Sequence, residues 1–228
     1  MANNFYNAVR RNVSADSTLP TEIYKVPDTK KAILIELDVS NKSTAGITVT
    51  VQLEDESLNE TASLTGTVTA ANAHSVSAIA VDSSGVITTT SAAAHNLIVN
   101  DRVVFTNGTD PSFTNATLPP SGEAALSETR MYYVQSIPST STFTIAESKS
   151  AVSPLSFDGN GASVLFVKVH LADIVKDAPV PVGGSLKVIS GQKLVLESQN
   201  ANVNDKVYVY TSSANSCDVI ASVLQEVS

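Results

Sequence analysis

Between Ala32 and Glu54 the chain reads "AILIELDVSNKSTAGITVTVQLE", two runs in which apolar residues recur at every second position. A period of two sends successive side chains to opposite faces of an extended strand, so each run is a strand and not a helix. In the first, Ile33, Ile35, Leu37 and Val39 form the apolar face against Leu34, Glu36 and Asp38. In the second, Ile47, Val49, Val51 and Leu53 alternate with Thr48, Thr50 and Gln52. The turn-rich "SNKSTAG" between them predicts a hairpin. Similar signals place further strands at Ile23–Val26, Ser163–Ile174, Ser185–Ile189, Lys193–Ser198, Lys206–Thr211 and Val219–Gln225. Pro179 and Pro181 mark backbone outside the centre of a sheet. Val, Ile and Thr recur throughout; their stiff, branched side chains favour pleated surfaces. A hydrophobic fraction of 43% suffices for a core. The expected fold class is all-β: an antiparallel β-sandwich (jelly-roll or Ig-like) with an inserted small β module and an extended N-terminal arm.

Changes in texture set the expected boundaries. Residues 1–19 hold too few apolar side chains for a core element and read as an arm that orders by docking, with Phe5, Tyr6, Arg10 and Arg11 as its contacts. A short helical turn fits around Phe5–Arg10. Residues 74–161 read as an inserted module with a core of Ile79, Val81, Val86, Ile87, Leu97, Val103, Phe105, Tyr132, Val134, Ile137, Phe143 and Ile145. Residues 20–73 and 162–228 then form the host sandwich, with a weak strand signal at Ser63–Thr69.

Charge and composition narrow the functional classes. A net charge of −8 with scattered basic residues argues against nucleic-acid binding, which needs clustered cations to displace counterions. No apolar run approaches the roughly 20 residues of a membrane helix, and no secretory h-region is visible. The expected protein is made in the cytoplasm and binds no membrane. Cys217, the single cysteine, reads as a small buried hydrophobe in "NSCDVIASVL".

Candidate chemistry is sparse. His95 lies six residues before Asp101 in "HNLIVNDRVVF", a spacing that invites a base–acid reading and a hydrolase. No G-x-S-x-G elbow supplies a nucleophile, and His74, His95 and His170 lack metal-binding spacing. The pair reads instead as turns leading into a strand. Glu54, Asp55 and Glu56 read as a solvated strand end, and "FDGNGAS", with Asp158 and Asn160, as a hairpin turn. Four N-x-S/T triplets, at Asn41, Asn59, Asn107 and Asn115, carry no weight without a signal peptide. Tyr208 and Tyr210 share a strand face, as sheet cores commonly arrange, and anchor no sugar site. No catalytic residue, metal or cofactor is expected.

Two stretches carry a resemblance. His95-Asn96-Leu97, Asn100-Asp101, Val103-Val104-Phe105, Leu118-Pro119, Tyr132-Tyr133-Val134 and Phe143-Thr144-Ile145 resemble a small β module recurring in structural proteins of tailed bacteriophages. Its two usual turn glycines are Asn96 and Asn100 here, and Asn also tolerates the left-handed region. "IYKVPDTKKAILIELDVSNKSTAGITVTV", with "IVKDAPVPVGGSLKVISGQKLVLES" and the closing "CDVIASVLQEV", is similar to small virion proteins of cyanophage-like myoviruses. The resemblance covers most of residues 20–228 and brings no catalytic residues. It implies a virion component of head, neck or tail that forms homo-oligomers and contacts other virion proteins. A host-surface glycan, met by the loop at 107–128, is the alternative partner.

Overall fold

The computed structural model describes residues 2–58, 74–79, 86–89, 95–106, 130–155, 164–200 and 203–227. The chain is all-β and divides into two compact units. The described residues up to Leu58 and from His170 onward form the first; those from 74 through Val169 form the second.

The first unit is built from β1 (Ala2–Arg11), β2 (Thr21–Lys25), β3 (Lys31–Asn41), β4 (Ile47–Glu54), β11 (Leu171–Val180), β12 (Ser185–Ile189), β13 (Leu194–Asn200), β14 (Val203–Asn204), β15 (Lys206–Thr211) and β16 (Cys217–Val227). One sheet runs β1-β16-β3-β13-β14, with β12 also pairing β3; the other runs β11-β4-β15-β2. All pairings are antiparallel. Between the sheets lies a core of β-branched and aliphatic side chains, including Ile23, Leu34, Leu37, Val39, Val49, Val51, Val207, Val209, Val219 and Val223. Cys217 is wholly buried in it, and burial pushes its thiol up to about 11, in keeping with a packing role.

Three expectations about β1, β3 and β4 need correction. The alternation in β3 does not hold one phase. Ala32 and Leu34 face the core, then Leu37, Val39 and Asn41 do. The pairing with β16 shifts register between Ser222 and Val223, so one extra β3 residue near Ile35–Glu36 forms a bulge. Ile33 and Ile35 therefore lie on the face away from the core. Second, β3 and β4 form no hairpin, since they belong to different sheets. The crossing is fastened by the buried Asn41, whose Nδ2 donates to Ala45 O, Val180 O and Pro181 O at 2.8–3.0 Å. That use of its side chain gives Asn41 a structural reading. Third, residues 2–19 lie against the chain's own first unit. Residues 2–11 are a strand, not a helical turn, and pair with β16 along their whole length. Val13 and Thr18 beyond them are fully buried.

The second unit comprises β5 (His74–Ile79), β6 (Ile87–Thr89), β7 (Arg102–Thr106), β8 (Tyr132–Ser139), β9 (Thr142–Ala146) and β10 (Val164–Val169), closed in the order β10-β5-β6-β9-β8-β7. Its interior holds Ile87, Leu97, Val103, Phe105, Tyr132, Val134, Phe143, Ile145 and Phe166, with Ile137 packed alongside. Ile79 and Val81 of the expected core lie outside the residues whose side chains are described. The run Ser163–Ile174 is two strands broken at His170, and β10 closes the barrel instead of joining the sandwich. Phe166 explains why: its ring packs 5.0 Å from Phe143 and 6.4 Å from Phe105, inside the barrel. Asn96 and Asn100 have φ of 53° and 75°, so they adopt the left-handed backbone of their turns.

Candidate interaction surface

Edge strands decide what a β protein offers to others, because their outer N–H and C=O groups have no ladder partner. The sandwich blunts most of its edges. β11 has two register shifts and carries Pro179, β2 has five residues, and β14 has two. β1 differs. Its ten residues pair from Ala2↔Val227 to Arg11↔Asp218 without a shift, and no described strand pairs its other side.

The two faces of β1 do different things. Tyr6 and Ala8 pack against the sandwich core. Tyr6 Oη donates to Gln225 Oε1 at 3.1 Å, and its ring lies 6.2 Å from that of Tyr24, whose phenol is raised by burial and by Tyr6. Phe5 and Val9 point the other way and are 60% and 45% exposed. Arg10 Nε donates to Glu22 O at 2.8 Å, tying the end of β1 to β2, while Arg11 is exposed opposite Asp218. Of the four residues expected to dock, Phe5 and Arg11 are thus presented outward. Tyr6 and Arg10 fasten the strand to its own unit.

Phe5 is not isolated. Register places it opposite Leu224, Leu224 opposite Ile33, and Ile33 opposite Val195, which is 55% exposed. This row crosses four strands on the solvent face. Ile33, Leu224 and Val195, with Lys31 and Glu226, line a shallow depression of about 250 Å³. Val9 likewise faces Ile220, 46% exposed. The regular alternation read from the sequence had Ile33 in the core. The β3 bulge reverses that, and no residue in "AILIELD" announces it.

A second feature lies at the end of β4. Glu54 and Glu56 are buried, not solvated. Tyr208 Oη donates to Glu54 Oε2 at 2.9 Å, Lys206 Nζ reaches Glu54 at 3.4 Å and also pairs with Glu56, and Asn204 N–H donates to Glu56 Oε2 at 2.6 Å. Burial works to lower the Lys206 pKa, but the two carboxylates outweigh it and hold the ammonium above its usual range. Burial and Glu54 likewise raise the Tyr208 phenol. Among the described residues, no group of three His, Cys, Asp or Glu side chains is arranged to hold a metal ion.

His95 and Asp101 have separate engagements. His95 is 2% exposed; its Nδ1 accepts from Leu97 N–H at 3.0 Å. That leaves Nε2–H to donate toward Ser139 O at 3.1 Å and Thr142 O at 3.2 Å. Its ring packs edge-on to Phe143 at 5.3 Å. Asp101 Oδ2 accepts from Ile98 N–H at 2.8 Å and pairs with Lys168 at 2.9 Å. Both residues pin the turns that feed β7. Asp158, Asn160, Asn59, Asn107, Asn115 and the 107–128 loop lie outside the described residues, as does Ser63–Thr69.

Among the described residues, fold and surface together define an all-β protein with one closed unit and one unit in which a long strand ends a sheet. No protein-family profile matches the chain, and no curated protein matches it.

Proposed function

We propose that this chain is a non-enzymatic structural component of a tailed-phage virion, decorating or reinforcing head, neck or tail through symmetric subunit assembly. The observation that carries the reading is the uninterrupted β1 edge with the apolar row Phe5–Leu224–Ile33–Val195 beside it. Long, flat, apolar edges invite pairing with other chains, and monomers blunt them. The resemblance of residues 20–228 to virion proteins supports the phage setting. The bonding of His95, Asp101 and the Glu54–Glu56 cluster gives each a structural use, which favours a scaffold over a catalyst. Quantitative mass spectrometry of purified particles tests this. A fixed stoichiometry to the major capsid protein is expected; absence from washed particles would sink the reading.

A further inference from the structure

We propose that β1 pairs with β1 of a second copy of this chain, antiparallel about a two-fold axis through Asn7, joining the two β1-containing sheets into one. Its starting point is the free edge: ten residues in unbroken register with β16 and no strand on the other side among the described residues. Of the devices that commonly protect an edge, Ala2–Arg11 has no proline, no bulge and no lysine.

Charge selects the direction. The only charged side chains of β1 are Arg10 and Arg11, both at its C-terminal end. Parallel pairing would set four guanidinium groups side by side. Antiparallel pairing through Asn7 places Arg10 opposite Asn4 of the second copy and Arg11 opposite residue 3. The two copies' Arg10 residues are then six residues apart along the strand, roughly 20 Å. That exceeds the Debye length of about 8 Å at physiological salt.

Polarity selects the register. Antiparallel partners share a face, so outward residues must meet outward residues. With Asn7 facing Asn7, each exposed Phe5 meets an exposed Val9, and Tyr6 meets Ala8 on the inner face. Shifting the axis by one residue either way pairs Phe5 with Asn7 or with Arg11 instead. The chosen register also continues the apolar row. Val195, Ile33, Leu224 and Phe5 of one copy run on to Val9 and Ile220 of the other.

This inference gives the assembly reading above a partner and a contact, and it rests on that reading for its biological purpose. Its test is separate. Sedimentation velocity of the intact chain is expected to show a concentration-dependent dimer. Salt should tighten it, because two molecules of net charge −8 repel and about 1 M salt shortens the Debye length to about 3 Å. Val9→Lys, at a position already 45% exposed, should weaken the dimer about tenfold or more while far- and near-UV dichroism stay unchanged. Asn7→Cys should cross-link under mild oxidation, since paired Cα atoms at about 4.5–5.5 Å suit a disulfide. Arg11→Cys should not, and the buried Cys217 stays out of reach. A monomer at every concentration, a dimer that loosens with salt, or equal cross-linking of Asn7→Cys and Arg11→Cys overturns the proposal. A dimer of a chain missing from virions removes only the virion role, and a monomeric chain found on virions removes only the pairing.

Discussion

The two units of this chain solve the same problem, hiding apolar residues in a β fold, in opposite ways. Among the described residues, the sandwich core holds twenty buried side chains, of which Tyr24 alone is aromatic, and the barrel core holds nine, of which Phe105, Tyr132, Phe143 and Phe166 are aromatic. Two long facing sheets interdigitate many branched side chains over a wide area. A six-stranded barrel has a narrow interior that a few rings fill, here packed edge-on or tilted at 5.0–6.4 Å. The second difference follows from the first. Among the described strands the barrel order closes on itself, whereas β1 ends a sheet of the sandwich. The strand pairing proposed above accordingly belongs to the sandwich.

The sharpest way to break this contrast is Phe143→Ala. Its ring touches both Phe166 and His95, so truncation leaves a hole where few atoms can relax. A loss of about 3–5 kcal/mol is expected. Hydrogen exchange should locate it in β7–β10, with β3 and β16 amides still protected, because each unit has its own core. Ile23→Val in the sandwich removes one methylene and should cost only about 0.5–1.5 kcal/mol. Similar losses from the two substitutions would mean that the ring cluster has no special weight.

Next in size is Lys206→Met. Removing one partner of a buried charged group strands the others, here Glu54 and Glu56, with side chains 4% and 10% exposed. A loss of about 3 kcal/mol is expected in urea melts at neutral pH. It should shrink in a Glu54→Gln, Glu56→Gln background, where no buried carboxylate is left facing the position. A loss unchanged in that background would assign the effect to packing of the lysine stem.

Asp205 predicts a smaller effect of defined sign. Burial raises its carboxyl to about 6 from an ordinary 3.8, aided by the charges of Asp55 and Glu197, against the N–H groups of Glu197 and Glu56. The folded state therefore binds this proton more tightly than the unfolded chain does. Its contribution is fully present below the unfolded value and is lost as pH rises through about 6. Solvent screening at this half-exposed site limits the change to about 1 kcal/mol. Asp205→Asn keeps one acceptor for Glu197 N–H and should flatten this part of the stability profile.

Legibility followed the same division. Strands at Ser185–Ile189 and Lys206–Thr211 were readable to the residue, because local alternation and turn residues determine them. The barrel core from Leu97 to Ile145 was readable as well, being built from consecutive strands. What stayed hidden depends on distant pairing. The bulge that turns Ile33 outward exists only against β16, and the choice of Phe166 for the barrel is made by Phe105 and Phe143. Glu54 and Glu56 read as solvated until Lys206, some 150 positions later, is placed between them. At β1 nothing in the sequence shows that Tyr6 and Arg10 hold the strand to its own unit.

The smallest effect compares the turns of the two units. Among the described residues, the barrel meets its left-handed positions with Asn96 and Asn100, and the sandwich meets its own with Asn12, Asp177, Asn215, Gly183 and Gly191. Thr29 is the exception, a β-branched residue at φ 61° between Pro27 and β3. Its N–H donates to Ser198 Oγ at 2.9 Å and Lys30 N–H to Pro27 O at 3.1 Å, so the turn is held by its neighbours. The left-handed region costs a branched residue about 1–2 kcal/mol, of which Gly recovers most but returns about 0.5–1 through its freer unfolded chain. Thr29→Gly should therefore raise stability by about 0.5 kcal/mol, and Thr29→Asn by slightly more, since Asn accepts this backbone without that entropy cost. Asn100→Gly in the barrel should be close to neutral. If Thr29→Asn destabilises in thermal melts, the Thr29 side chain makes a contribution that outweighs its backbone strain.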